Sequence, residues 1–164
     1  MSTTNTINGF GDPIVLTRHE ESSEMNGPRA ILLQSALAAL SDGRISEVVE
    51  RFADRFTFKD RALTLEFTDK ARLTEFFEKS RKLFPDTTLE IISIFEEGDR
   101  AIAQWKHSAM QIVPYGSIRY RFPIFLFGAT IVRVENERIV EWVDYHDQSS
   151  SRRMSLPAFF TDGI

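Results

Sequence analysis

Hydrophobic positions along the chain follow helical spacing in its first half, interrupted by one short strand, and strand alternation beyond Pro85. Residues Met1 to Gly27 are polar, rich in Ser, Thr and Asn, with one short apolar patch from Pro13 to Leu16. By composition this is an arm that buries too little apolar surface to fold alone. Pro28 then stands where a first helical residue belongs. In PRAILLQSALAALSDG, Ile31, Leu32, Ser35, Ala36, Ala39 and Leu40 recur at helical spacing, and Asp42-Gly43 closes the segment. ISEVVERFAD predicts a short second helix with Ser46 as its N-cap, and RFTFKD a short strand. TDKARLTEFFEKSRKLFP predicts a third helix, capped by Thr68, with Leu73, Phe76, Phe77, Ser80 and Phe84 on one stripe and Pro85 as its stop.

Beyond Pro85 the pattern is that of strands. TTLEIISIFE turns at Glu97-Gly98-Asp99 into RAIAQWKHSAMQIV. A loop at Pro114-Tyr115-Gly116 leads to SIRYRFPIFLF, which runs through Gly128 into ATIVRV. Glu135-Asn136-Glu137 turns tightly into RIVEWVDYHD. Helices followed by an antiparallel meander define an α+β chain. No period repeats along it. The expected organisation is an arm over 1–27, a single domain over 28–148 and a tail over 149–164 that is polar apart from Leu156, Phe159 and Phe160.

Composition narrows the function classes. A length of 164 residues fits one domain, and 14 Phe in so small a chain predict either a bulky core or a cavity lined with rings. The net charge is −4, with no basic stripe, so nucleic acid is not an expected partner. The absence of cysteine removes disulfides, thiolate nucleophiles and Cys-based metal sites. MSTTNTINGF is not a signal peptide, and no apolar run is long enough for a membrane helix. A cytoplasmic protein with no membrane partner is the expectation.

The candidate chemistry comes from alternation on two strands. Val140, Trp142, Asp144 and His146 share one face of the last strand, and Ala101, Ala103, Trp105, His107 and Ala109 share one face of the long middle strand. If the two tryptophans face the same hollow, His107 and Asp144 approach one another there. Burial raises an Asp and lowers a His, while mutual attraction does the reverse, so such a pair can be poised for acid–base work near neutral pH. The ordinary alternatives are a solvated strand end for Asp144, a hydrogen-bonded core histidine for His107, rim positions for His146 and Asp147, and plain packing for Trp105 and Trp142. Arg119 and Arg121 are expected to be solvated or paired. No nucleophile elbow, phosphate loop, dinucleotide fingerprint or HExxH motif is present, and His19, His107 and His146 are scattered, so neither a metal nor a cofactor is expected.

The strings FTFKD, FFEKSRKLFPDTTLEI, RAIAQW and GATIVRVENERIVEWVDYHD, in that order, resemble the SnoaL-like polyketide cyclase branch of the nuclear transport factor 2-like superfamily. Asp60, Phe84-Pro85-Asp86, Trp105 and Trp142 to Asp147 carry the resemblance, which spans Arg29 to Asp147. It implies a cone: a strongly curved antiparallel sheet wrapped around N-terminal helices, the cystatin-like α+β roll, open at one end to an apolar pocket. Ketosteroid isomerase, scytalone dehydratase and limonene epoxide hydrolase are implied relatives. In the epoxide hydrolase branch the first Asp of the last hairpin string is catalytic, a position held here by Asp144. That branch's Arg-x-Asp pair falls on Trp105 and His107, so its full set is not reproduced. Thr57 and Lys59 stand near its water-orienting positions. The superfamily also implies a homodimer packed through the outer faces of the sheets.

Together these readings point to a small cofactor-free enzyme acting on a hydrophobic cyclic or polyketide-like molecule by isomerisation, cyclisation, dehydration or water addition. His107 and Asp144 would be the acid–base pair and Asp60 a supporting polar group. Trp105, Tyr120 and Trp142 would be pocket walls, with His146 touching the ligand at the rim. The alternatives are a binding module that carries an apolar ligand unchanged, or a dimeric interaction protein of the same fold.

Overall fold

The structure, a computed structural model, describes residues 27–115 and 117–147. The expected arm apart from Gly27, and the tail with Leu156, Phe159 and Phe160, lie outside the described residues. Within them the order is α1 (Pro28–Asp42), α2 (Ile45–Glu50), β1 (Phe52–Asp60), β2 (Leu65–Phe67), α3 (Lys70–Leu83), β3 (Thr88–Glu97), β4 (Arg100–Tyr115), β5 (Ile118–Glu135) and β6 (Arg138–His146). The strands form one curved, unclosed six-stranded sheet in the order β2-β1-β6-β5-β4-β3. The architecture is the α+β cone that the resemblance implied.

One pairing departs from a simple meander. β3 through β6 pair antiparallel in succession, but β1 joins the free edge of β6 in parallel, with Phe58 opposite Trp142 and Asp60 opposite Asp144. Such pairing joins segments far apart in sequence, which local periodicity cannot reveal. The register of β5 and β6 also shifts between Arg133 and Val134, which are opposed by Glu141 and Ile139. Val140 is the extra residue of that bulge. Strict alternation would put Ile139 and Trp142 on opposite faces; the bulge lets both be fully buried.

Helix boundaries also differ from the pattern reading. The second helix ends at Glu50, and Phe52 to Asp60 forms strand, with Phe52, Phe56, Phe58 and Asp60 all turned inward. α2 begins at Ile45 behind Arg44, with no side-chain cap, so Ser46 does not cap it. α3 is capped by Asp69, whose carboxylate accepts from Arg72 N at 2.9 Å, and not by Thr68. On α1 the buried face is Ala30, Leu33, Ala36, Leu37 and Ala39, while Ile31 is 56% exposed. An uninterrupted apolar run leaves the helical phase open, and packing on the sheet selects it.

Rings fill the centre of the core. Phe58 meets Phe67, Phe76, Phe77 and Trp142 with centroids 5.5–6.2 Å apart. The pairs are tilted or edge-on except for the stacked Phe58–Trp142, and these are arrangements that aromatic pairs favour. α1 is pinned to the sheet by an unusual cap. Gly27 has no side chain to offer, and Glu96 of β3 instead accepts from Arg29 N and Ala30 N, both at 2.8 Å. Gly27 leaves room for that carboxylate, since a Cβ there would lie 1.9 Å from Glu96 Oε1.

Replacing Glu96 by alanine leaves the first turn of α1 without its donors' partner. The expected loss is about 1–2 kcal/mol of stability by urea unfolding. An unchanged midpoint would show that the cross-sheet cap contributes nothing.

Candidate functional site

The concave face of the sheet and the helices α1 and α3 enclose a cavity of about 180 Å³. Its walls are mostly apolar, including Leu37, Leu40, Phe76, Phe77, Leu89, Ile124 and Leu126. Five titratable side chains interrupt them: Asp60, Arg81, His107, Asp144 and His146. Trp105, Trp142, Thr87 and Thr130 line it as well. Tyr120, expected as a wall, is not part of this lining; it is 45% exposed farther along β5, stacked on Phe122. Thr57 and Lys59 alternate away from Phe58 and Asp60, and Lys59 lies 3.9 Å from Glu141. Arg121 pairs with Asp86 at 2.9 Å.

Asp144 is held by a chain of donors across three strands. Trp105, Gly128 and His146 stand opposite one another on β4, β5 and β6. The absence of a side chain at Gly128 lets the indole of Trp105 lie across β5, where a Cβ would come within 2.4 Å of its ring. From there Trp105 Nε1 donates to Thr130 Oγ1 at 2.9 Å, and Thr130 donates in turn to Asp144 Oδ1 at 2.6 Å. Burial raises the Asp144 carboxyl to about 7. The Thr130 hydrogen bond and the nearby Trp142 N–H pull it down, the charge of Asp60 adds to the rise, and that of His146 opposes it. Trp142 Nε1 is close enough to act on the carboxyl, yet it forms no hydrogen bond of good geometry.

A second cluster joins Asp60 to His146. Asp60 is buried at the end of β1; its Oδ1 accepts from Leu63 N at 2.9 Å and its Oδ2 lies 3.2 Å from His146 Nε2. Burial works against the charge of His146, but the hydrogen bond and charge of Asp60, reinforced by Asp144 and Asp147, outweigh it and raise the imidazole. His146 Nδ1 is buried without a hydrogen-bond partner.

His107 is of the opposite kind. Thr87 gives its only hydroxyl hydrogen to Phe84 O at 2.6 Å, so its oxygen receives the Nε2–H of His107 at 3.3 Å. Burial, with the charge of His146 second, lowers this imidazole to about 4. His107 and Asp144 thus share the cavity but are not hydrogen-bonded to each other. Asp144 bonds Thr130 and His107 bonds Thr87. The imidazole–carboxylate pair of the site is His146–Asp60. Thr130, Thr87 and Arg81 were not singled out from the sequence. Thr130 could have been found by continuing the alternation of β5 from Leu126 through Gly128. Among the described residues no three His, Asp or Glu side chains converge as metal ligands.

Helices packed in the hollow of a curved, mixed sheet, above an apolar cavity with acid and imidazole groups, place the chain among the nuclear transport factor 2-like folds. More narrowly, it belongs to the SnoaL-like domain family, which matches residues 33–142. Solved structures agree at the level of fold. A protein of Shewanella putrefaciens assigned to the SnoaL-like polyketide cyclases is 14% identical, with a TM-score of 0.68 over 77% of this chain and 95% of that one. A protein of Catenulispora acidiphila with a ketosteroid isomerase-like fold, in complex with trimethylamine, is 18% identical, with a TM-score of 0.63 over 73% and 87%. An LEH-like epoxide hydrolase of M. tuberculosis is 14% identical, with a TM-score of 0.61 over 77% and 87%. No curated protein matches the chain in sequence.

The raised Asp144 has a consequence for stability. The folded form holds this proton up to about 7 and the unfolded carboxyl only to 3.8, so the Asp144 contribution falls as pH rises between those values. His107, lowered from 6.5 to about 4, contributes in the opposite direction over that range. Asp144→Asn removes the first and keeps an acceptor for Thr130. Relative to the unchanged protein, the variant should gain on the order of 2–4 kcal/mol between pH 4 and pH 8, from about three pKa units at 1.36 kcal/mol each. A pH-independent difference in denaturation would refute the raised carboxyl.

Proposed function

We propose that the chain is a cofactor-free enzyme that transfers protons on an apolar small molecule, with Asp144 as the group that takes and returns the proton. The observation that carries this reading is the Asp144 carboxyl itself. It is fixed by the Trp105–Thr130 chain, lines an apolar cavity and is poised at about 7. A carboxylate with that affinity is a far stronger base than a solvated one, and it has a substantial ionised fraction at neutral pH.

His146 would act through its charge. Its Nε2 is engaged by Asp60 and its Nδ1 is sealed off, so neither nitrogen is free to hand a proton to a ligand. A positive imidazolium beside Asp144 favours the anion there and restrains its rise. Asp60 would position His146. His107, neutral and tied to Thr87, would be a polar wall facing the ligand, and Trp105 and Trp142 would be its aromatic walls. This arrangement suits removal of a proton beside a carbonyl and its return elsewhere, as in isomerisation or aldol-type cyclisation. It also suits activation of a water. The SnoaL-like family and the neighbours assigned as a cyclase and an epoxide hydrolase support chemistry of this kind. A second reading, a carrier that leaves its ligand unaltered, is favoured by the nearly continuous apolar lining.

A nitrobenzisoxazole separates the two. Loss of its ring C–H proton to a base breaks the N–O bond and releases a coloured cyanonitrophenolate. The protein should accelerate this with a rate that rises with pH through about 7. Asp144→Asn should lower the rate by about 100-fold or more. If the probe binds and the two proteins turn it over equally slowly, the enzyme reading fails and the carrier reading stands.

A further inference from the structure

We infer that the ligand is an organic acid and that Arg81 holds its anionic group, with the apolar body of the molecule lying along the cavity towards Asp144. This rests on the reading of the cavity as a ligand site and adds the class of molecule it takes.

Arg81 is in the last turn of α3 and lines the cavity with Ser80 and Phe84. It is the one Lys or Arg among the lining residues described. Other arginines near the sheet have carboxylate partners: Arg29 with Glu96, Arg100 with Glu141, Arg121 with Asp86. Arg81 has no such partner among the described residues. Its Nη1 donates to Ser41 O at 2.7 Å. Its guanidinium lies against Gly43, where a Cβ would meet Nε at 2.6 Å and Cζ at 2.9 Å. Gly43 has φ 75°, the left-handed conformation that closes α1, so the glycine there serves both the turn and the arginine.

A structural role accounts for part of this. The bond to Ser41 O satisfies a carbonyl at the end of α1, and a cation suits two helix C-termini. That role uses one of the five N–H donors of a guanidinium. The remaining donors belong to a group whose fork matches a carboxylate, seated by Gly43 and Ser41 before any ligand arrives. The other charges of the cavity give the ligand a direction. Asp60 is already paired with His146, and Asp144 repels an anion as it ionises. An acid would therefore place its carboxylate at Arg81 and its apolar part against Phe84, Leu89, Ile124 and Leu126. A cavity of about 180 Å³ suits a body of one or two rings.

The test compares phenylpropionate with phenylpropanol, the same body with and without the charge, by calorimetry and by protein-observed NMR. The acid should bind the unchanged protein about tenfold more tightly, the worth of one charge-assisted pair. Added salt should weaken the acid and leave the alcohol alone. Arg81→Met should erase the preference, and Arg81→Lys should retain part of it. Should Arg81→Met fold poorly, the acid–alcohol ratio and its salt dependence in the unchanged protein decide the matter. If the alcohol binds and the acid is no tighter, the anion site is wrong while the ligand cavity survives. If neither binds, both are wrong.

Discussion

An acid can sit in an apolar hollow only if donors are built in with it, and the donor chain to Asp144 depends on the missing side chain at Gly128. A buried carboxylate without partners would simply take up a proton. Here an indole must cross β5 to deliver its N–H to Thr130, and only glycine leaves it room. The alignment of Trp105, Gly128 and His146 on three neighbouring strands is therefore both a packing constraint and a condition of the site. Because Thr130 has one hydrogen to give and receives another from Trp105, its orientation is fixed, and its bond to Asp144 is polarised from behind. Burial still wins, since the carboxyl remains near 7. The donors hold the group in place and keep it from rising further.

The parallel pairing of β1 with β6 supplies the rest. It puts Asp60 beside Asp144 on adjacent strands, an arrangement that like charges oppose. His146, two residues beyond Asp144 on the same face of β6, relieves it by taking Asp60 as its partner. The turn after β1 adds the Leu63 N–H on the far oxygen. Asp60 is thus satisfied on both oxygens. The two acids on these neighbouring strands differ in their partners, Leu63 N–H and His146 for Asp60 and Thr130 for Asp144.

Much of this was legible in the residues. Strand alternation put Trp105 with His107, and Trp142 with Asp144 and His146, and all five line one cavity. The stripe of Leu73, Phe76 and Phe77 on α3 is buried as its spacing indicated. What stayed hidden has a common physical origin: it depends on which strand lies beside which. The alternation of β1 shows Asp60 pointing inward but not that His146 waits there, because the two are 86 residues apart. Pairing His107 with Asp144 was the natural guess from residue types. It fails as a contact because Thr87, in the loop after α3, reaches His107 first. Tyr120 shares the inward phase of Ile124 and Leu126, yet it is exposed, and phase alone does not show where along a strand burial ends. The bulge at Val140 is likewise invisible to a period of two.

The two histidines of the cavity show how partners decide charge. His107 and His146 meet similar burial, which by itself lowers both. His107 has a hydroxyl that accepts its N–H and brings no charge, so burial prevails and the ring stays neutral. His146 has a carboxylate, and attraction prevails. The difference is self-reinforcing, because the positive His146 further lowers His107. Burial holds one imidazole towards its neutral form, a polar surface for a ligand, while Asp60 draws the other towards its charged form. Burial among mostly apolar walls keeps Asp144 near 7, and that is the property on which proton transfer at neutral pH would rest.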